Sequence, residues 1–283
     1  MTRSATEKGN SCPGSLFPAW KRHCRKTTRL LVLGVLLPLC LCSTPLRSDS
    51  PGRAPVDLSG TWAGLFVYTG LATFPVIGTV TSAASVLLRI EIAQTASSLT
   101  LKETYCSIGI NAGTPLARMV FPEAFVPSLG TVMRQASIEE TGASTRFVQS
   151  WRCEVRGAHL VDPERDELPA TSGDPRVFDQ DADGEPGLTA RVCVADVLCG
   201  DVYLVERMCQ RLLGTVISRD RIEGTIDWVN ERSTLGSTNP LLGSAIQTPA
   251  VPLAEESYFV LRRIDPHWDC EAVTANRDML FGP

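Results

Sequence analysis

The chain has 283 residues, 43% of them hydrophobic and 20% charged, and a formal net charge of −4. That is enough chain and enough apolar surface for one large folded domain or two small ones. A slightly acidic balance excludes the basic surface that nucleic-acid binding needs.

Residues 1–29 are polar and carry Lys21, Arg22, Arg25, Lys26 and Arg29, and an uncharged, leucine-rich run follows over 30–42. The run has the length of a signal-peptide core and is too short to span a bilayer comfortably. Small residues follow at Cys42, Ser43 and Thr44. The expectation is a signal peptide over 1–42 and export to a periplasmic, outer-envelope or extracellular space. Cys40 or Cys42, ending the core, is the residue type that accepts a lipid, although Leu39 and Leu41 stand where a small residue is normally wanted. Membrane association is expected only through such an anchor.

Residues 43–56, rich in Ser, Pro and Arg, read as a flexible leader. Without residues 1–42 the chain keeps 20 basic and 30 acidic residues, a formal charge of −10. Nucleic acid is therefore not an expected partner. Six cysteines remain: Cys106, Cys153, Cys193, Cys199, Cys209 and Cys270. An even number in an oxidising compartment predicts up to three disulfides, with the connectivity open. Cys193 with Cys199 can close a short loop, and Cys106 with Cys153 can cross-link strands. Metal binding by these cysteines would want CxxC or Cys/His clusters, and no such spacing occurs.

A single domain is expected over 57–270, with 271–283 as a tail. Within it, short β-prone runs alternate with turn residues. Strands are predicted over 60–69, 75–82, 84–94, 98–108, 145–156, 188–194, 200–212, 213–218, 221–230 and 256–264. In the third, Leu88, Ile90 and Ile92 fall on one face and Arg89 and Glu91 on the other. In the fourth, Leu99, Leu101 and Tyr105 share a face that Glu103 interrupts. Period two with one wet face marks an antiparallel sheet packed on a core. Helical periodicity is thin: 122–126 and part of 129–140 are the short candidates. Segment 162–187 reads as a long acidic loop and 232–254 as a second polar loop. The fold class is all-β, an antiparallel up-and-down barrel or barrel-like sandwich of about eight to ten strands, whose closure protects its edges.

Gly60-Thr61-Trp62 opens the first strand and Arg262-Arg263 closes the last. This resembles the lipocalin and calycin barrels, in which an N-terminal Gly-x-Trp packs its indole across the barrel mouth against a late Arg. The resemblance implies a structural pair at a barrel mouth, Trp62 with Arg262, and Arg263 as the less favoured partner. Pro122-Glu123-Ala124-Phe125-Val126, an Asp-rich loop and Leu235-Gly236-Ser237-Thr238-Asn239 also resemble uncharacterised secreted bacterial proteins, a likeness that brings no activity with it.

The Asp-rich loop is Asp179-Gln180-Asp181-Ala182-Asp183-Gly184-Glu185-Pro186-Gly187. Alternate aspartates put several carboxylates on the inside of a tight bend that Gly184 permits. Hard oxygen ligands so arranged suit calcium. The first half matches the EF-hand ligand positions, but Ala190 stands where the bidentate Glu belongs and Pro186 opposes an exiting helix. The expected ligands of a structural calcium ion are Asp179, Asp181 and Asp183, with Glu185 adding its backbone carbonyl. From Asp162 to Glu185 nine acids face only Arg165 and Arg176, and a divalent ion would relieve their repulsion.

No catalytic residue is assigned. No Gly-x-Ser-x-Gly elbow, Walker A loop or His-Glu-x-x-His occurs, and His159 and His267 are expected in loops. Paired carboxylates have no fixed sequence spacing. Glu103 with Tyr105, or Asp227 beside Trp228, are the ones that would line a cleft. Three functions follow. A binding protein would hold a small, partly apolar ligand inside the barrel. A structural or adhesive surface protein would have a filled barrel. A hydrolase or isomerase would need clustered polar residues in a cleft, and a buried carboxylate or histidine with strongly displaced titration would favour it.

Overall fold

A computed structural model describes residues 56–74, 77–243 and 251–282. The expected signal peptide, nearly all of the leader, and Cys40 and Cys42 lie outside the described residues. In chain order the strands are β1 (Gly60–Phe74), β2 (Gly78–Thr95), β3 (Ser98–Asn111), β4 (Ala117–Val120), β5 (Thr131–Thr141) and β6 (Ser144–Arg156). They continue with β7 (Leu188–Val194), β8 (Leu198–Ser218), β9 (Arg221–Ser237), β10 (Val251–Pro252) and β11 (Tyr258–Arg263). Eight of them close a ring in the order β1-β2-β3-β5-β6-β8-β9-β11, with β11 pairing back onto β1. Ring order follows chain order and every pairing is antiparallel, so the wall is an up-and-down meander. It is barrel-like rather than a clean barrel: β6 covers one edge of β8 from Glu206 on, and β7 takes over that edge at Leu204, with β4 beyond it.

Two pairs of predicted strands are continuous, as β2 and as β8. Segment 129–140, read as partly helical, is instead strand β5, in which Arg134, Ala136 and Ile138 are buried at every second position. An arginine in an inward position shortens the apolar alternation that would have marked it. The short helix expected at 122–126 is α1 (Phe125–Ser128).

At one end of the ring the interior is closed by apolar side chains. Leu58, Trp62, Ile90, Leu99 and Leu261 are each no more than 1% exposed there. Burying a side chain of this size contributes about 1.5–3 kcal/mol. The Trp62 indole N–H donates to the Leu58 carbonyl at 2.9 Å. The guanidinium over the Trp62 ring, 4.6 Å from its centroid, belongs to Arg263 and not to Arg262. The reason is register: Arg263 stands opposite Trp62 across β1 and β11 and shares its face, whereas Arg262 stands opposite Ala63 and faces the other way. Arg263 also donates to the carbonyls of Asp57, Ser59 and Arg219, tying the barrel's first and last strands to the β8–β9 turn.

Two β-bulges re-aim the wall. In β3 the inward set runs Leu99, Leu101, Glu103, Tyr105, then shifts at Cys106 so that Ile108 and Ile110 face inward. In β6 it runs Phe147 and Gln149, then shifts across Ser150 and Trp151 so that Glu154 and Arg156 face inward. An extra residue in a strand reverses the face of everything beyond it.

Three disulfides join Cys106 to Cys270, Cys153 to Cys209 and Cys193 to Cys199. The short-loop bridge is the expected one. Cys106 does not pair with Cys153, because Cys153 faces Cys209 across β6 and β8. Cys106 instead holds the start of α3 (Cys270–Ala275), which packs on β2 and β3. The segment expected as a tail therefore carries α3 and α4 (Arg277–Phe281). Under β7, α1 and α2 (Pro240–Gly243), a second small core gathers Phe125, Leu188, Val192, Val202 and Leu242. A 3₁₀ turn, Ala254–Glu256, precedes β11. Among the described residues no helix is long and apolar enough to cross a membrane.

Candidate functional site: a charged belt under an apolar cavity

At the end of the ring away from Trp62, the interior opens into a cavity of about 130 Å³. Its walls are largely apolar: Phe74, Val86, Ile108, Ile110, Met119, Phe121 and Trp228. Trp228 is fixed by its indole N–H, which donates to the buried Ser257 hydroxyl at 2.9 Å, and by an edge contact with Tyr68. Gly70 leaves room for that indole, since a Cβ there would stand 3.1 Å from the ring.

The floor is charged. Six side chains alternate in sign around the wall: Glu103 on β3, Arg134 on β5, Glu154 and Arg156 on β6, Glu206 on β8 and Arg232 on β9. Arg134 meets Glu103 at 3.5 Å and Glu154 more closely. Arg156 lies 3.7 Å from Glu154 and 3.8 Å from Glu206, and Arg232 lies 4.0 Å from Glu206. Tyr105 donates to Glu154 at 2.9 Å, Asn230 to Glu206 at 2.6 Å, and Tyr68 to Gln210 at 2.5 Å. Away from water such pairs interact strongly, and each uncompensated member is costly.

The belt is not fully satisfied. Glu103 Oε1, Arg134 Nη1, Arg232 Nε, Asn230 Oδ1 and both polar atoms of Gln149 are buried without a hydrogen-bond partner. Burial pushes the Glu103 carboxyl up to about 7, with Arg134 opposing the shift and Glu154 adding to it. Burial, with Glu154 beside it, holds the Tyr105 hydroxyl far above the usual phenol range. Glu103 with Tyr105 does therefore face the interior. Asp227 does not: it alternates with the inward Trp228 and bonds Arg211 at 2.7 Å on the outer face. His159 stacks on Phe178 beside the acidic loop, and neither it nor His267 lines the cavity.

The Asp-rich loop is a separate feature. Asp179, Asp181 and Asp183 each bring a carboxylate oxygen within 4.8 Å of the others, a group that can hold a metal ion. The carboxylate of Glu185 is not part of that group and lies by Tyr203. Asp179 accepts from the backbone N–H of Asp183 and Gly184, and Asp183 from that of Glu185. Asp181 is 3% exposed; one oxygen accepts from Thr189 N–H at 3.1 Å and the other has no partner. Burial pushes its carboxyl up. Gly187, at φ +86°, seats the loop's base against the Leu204 carbonyl, where a Cβ would collide. A more polar depression of about 310 Å³ lies among the residues of the β5–β6 and β8–β9 turns, with no buried unpartnered group in its lining.

No protein-family model matches the chain, and no curated protein matches it in sequence. The site therefore rests on its own geometry. Of the belt, Glu103 alone was picked out in the sequence. Arg134 sat in a segment read as helical, and the β6 bulge hid Glu154 and Arg156.

Proposed function

We propose that this is an exported binding module that holds a small, partly apolar molecule in the open end of its barrel. The observation that carries the reading is the cavity, apolar on its walls and polar on its floor. A void of about 150 Å³ accepts a benzene-sized molecule, so the ligand's body is of that order, with any remainder directed to the opening. Burial of its apolar surface supplies roughly 25 cal/mol per Å². The up-and-down ring and the stack of Arg263 on Trp62 support a likeness to the calycin barrels. Three disulfides support an oxidising compartment, in the periplasm, the outer envelope or outside the cell.

The test is calorimetric titration with eight-carbon amphiphiles, on the wild type and on Ala84→Phe, whose ring would occupy the cavity that Ala84 lines. Saturable binding that Ala84→Phe abolishes is the expected result. Binding that survives Ala84→Phe, or no binding at all, would shift the reading to a structural or adhesive surface protein.

We also read the Asp-rich loop as a structural calcium site, on the strength of the buried, partnerless oxygen of Asp181. Native mass spectrometry should find the mass of one calcium that a chelator removes. A melting temperature indifferent to millimolar calcium, with no such mass, would overturn it.

A further inference from the structure

The floor of the cavity is uneven in charge and in hydrogen bonding. Among the described residues three guanidiniums line it, Arg134, Arg156 and Arg232, against two carboxylates, Glu154 and Glu206. The carboxylates have their donors: Arg134 and Tyr105 serve Glu154, and Asn230 serves Glu206. Two of the guanidiniums keep one donor without an acceptor, Arg134 Nη1 and Arg232 Nε, and one neutral acceptor of the lining, Asn230 Oδ1, lacks a donor. The third carboxylate of the belt, Glu103, pairs with Arg134 but is not part of the lining, is 1% exposed, and has one oxygen unpartnered. In the lining itself the cations outnumber the carboxylates by one, the balancing charge is Glu103 behind it, and that charge is the one most easily given up.

We propose that the cavity binds an amphiphile by an acid headgroup, a carboxylate on a short apolar body, seated on Arg134, Arg156 and Arg232, and that Glu103 takes up one proton as that headgroup arrives. This rests on the reading that the cavity holds a small, partly apolar molecule. The ligand's charge replaces that of Glu103 as the counter-charge of Arg134. Crowded carboxylates in a dry site do not all stay ionised, and the proton goes to the one with least solvation. The charged and titratable groups facing Glu103 are Arg134 from β5, Glu154 from β6, Tyr105 from β3 itself and Tyr68 from β1. From β2, Ile90 stands opposite it and adds no charge. Its carboxyl already sits near 7 through burial, so one further negative charge moves the proton within the neutral range.

The sign follows from linkage. A bound anion raises the Glu103 carboxyl further, so binding takes up a proton. Affinity is then full well below pH 7, about half of that at pH 7, and falls toward tenfold per pH unit above it. A cationic headgroup would have to displace donors that Glu154 and Glu206 already have.

The experiment is isothermal titration calorimetry of the intact, disulfide-bonded protein with octanoate, octan-1-ol and octylammonium. It is run between about pH 6 and pH 8, in two buffers of different ionisation enthalpy. Octanoate is expected to bind at least about tenfold tighter than octan-1-ol at about pH 6, to take up about half a proton near pH 7 and close to one near pH 8, and to weaken about fivefold between about pH 7 and pH 8. Glu103→Gln should bind octanoate without proton uptake and without that pH dependence; the wild-type measurement decides the matter even if this variant fails to fold. Equal affinity for octanoate and octan-1-ol, tighter octylammonium, or octanoate binding without proton uptake would each overturn the acid-headgroup inference and leave the cavity reading standing. If none of the three binds, the cavity reading falls and takes this inference with it.

Discussion

On the inward faces of β1, β2 and β5, the base of the barrel shows Trp62, Ile90 and Ile138, whereas further along the same strands the belt end shows Tyr68, Ala84 and Arg134. The base is held by contacts that have no direction. The belt is held by contacts that depend on each partner being present and ionised. Apolar packing degrades by the volume removed. An alternating chain of buried charges degrades by whichever partner is stranded. The two ends should therefore respond differently to the same kind of perturbation.

The largest effects come from removing one large side chain at each end. Trp62→Ala should cost about 3–5 kcal/mol of unfolding free energy in urea and leave ligand affinity unchanged. Arg134→Met should cost about 3–5 kcal/mol too, because it strands Glu103 and takes from Glu154 its closest charged partner. The comparison sharpens when Glu103→Gln is added. The double variant should recover part of the loss at Arg134, measured as a coupling in a double-mutant cycle, whereas Glu103→Gln should do nothing for Trp62→Ala. Additive behaviour in both cases would break the distinction.

The next effect is on pH. The Glu103 carboxyl is raised, from 4.5 to about 7, so the folded chain binds its proton more tightly than the unfolded one. Its contribution favours folding at pH below about 4.5 and is lost as pH rises to about 7, by roughly 3 kcal/mol. Unfolding curves across this window should show the slope, and Glu103→Gln should flatten it. A wild-type curve with no such slope would mean that Glu103 titrates as an ordinary surface acid.

The smallest effect is at the Asp-rich loop, which belongs to neither end. Without calcium, Asp181→Asn should shift the melting temperature by no more than a few degrees, upward if anything, since it removes a carboxyl that burial disfavours. With millimolar calcium the wild type should gain a few degrees and the variant none.

Much of the base was legible in the sequence, because Leu88, Ile90 and Ile92 on β2 and Leu99 and Leu101 on β3 keep the two-residue period of a one-sided sheet. The Asp-rich loop was legible for a similar reason, its three carboxylates being spaced within one short turn. The belt was not. Its members come from β3, β5, β6, β8 and β9, and no local spacing links them. Two bulges shift the inward set from odd to even positions at the level of the belt, so a fixed period assigns Glu154 and Arg156 to the wet face. Buried charges also look like surface charges until the partner on the next strand is known. The exchange of Arg262 for Arg263 is the same lesson at the scale of one residue, since register alone decides which of the two meets Trp62.

The bridge from Cys106 to Cys270 has a mechanical consequence. It spans 164 residues and encloses, in one covalent loop, the end of β3 and every later strand. Tension applied between the termini is carried across that bond. Under load with the bridge intact, β1, β2 and the first part of β3 can peel away, while the looped remainder, with most of the belt, bears no stretch along its own backbone. A reductant would add the looped residues to the extensible length, so single-molecule pulling should give a short extension when oxidised and a far longer one when reduced.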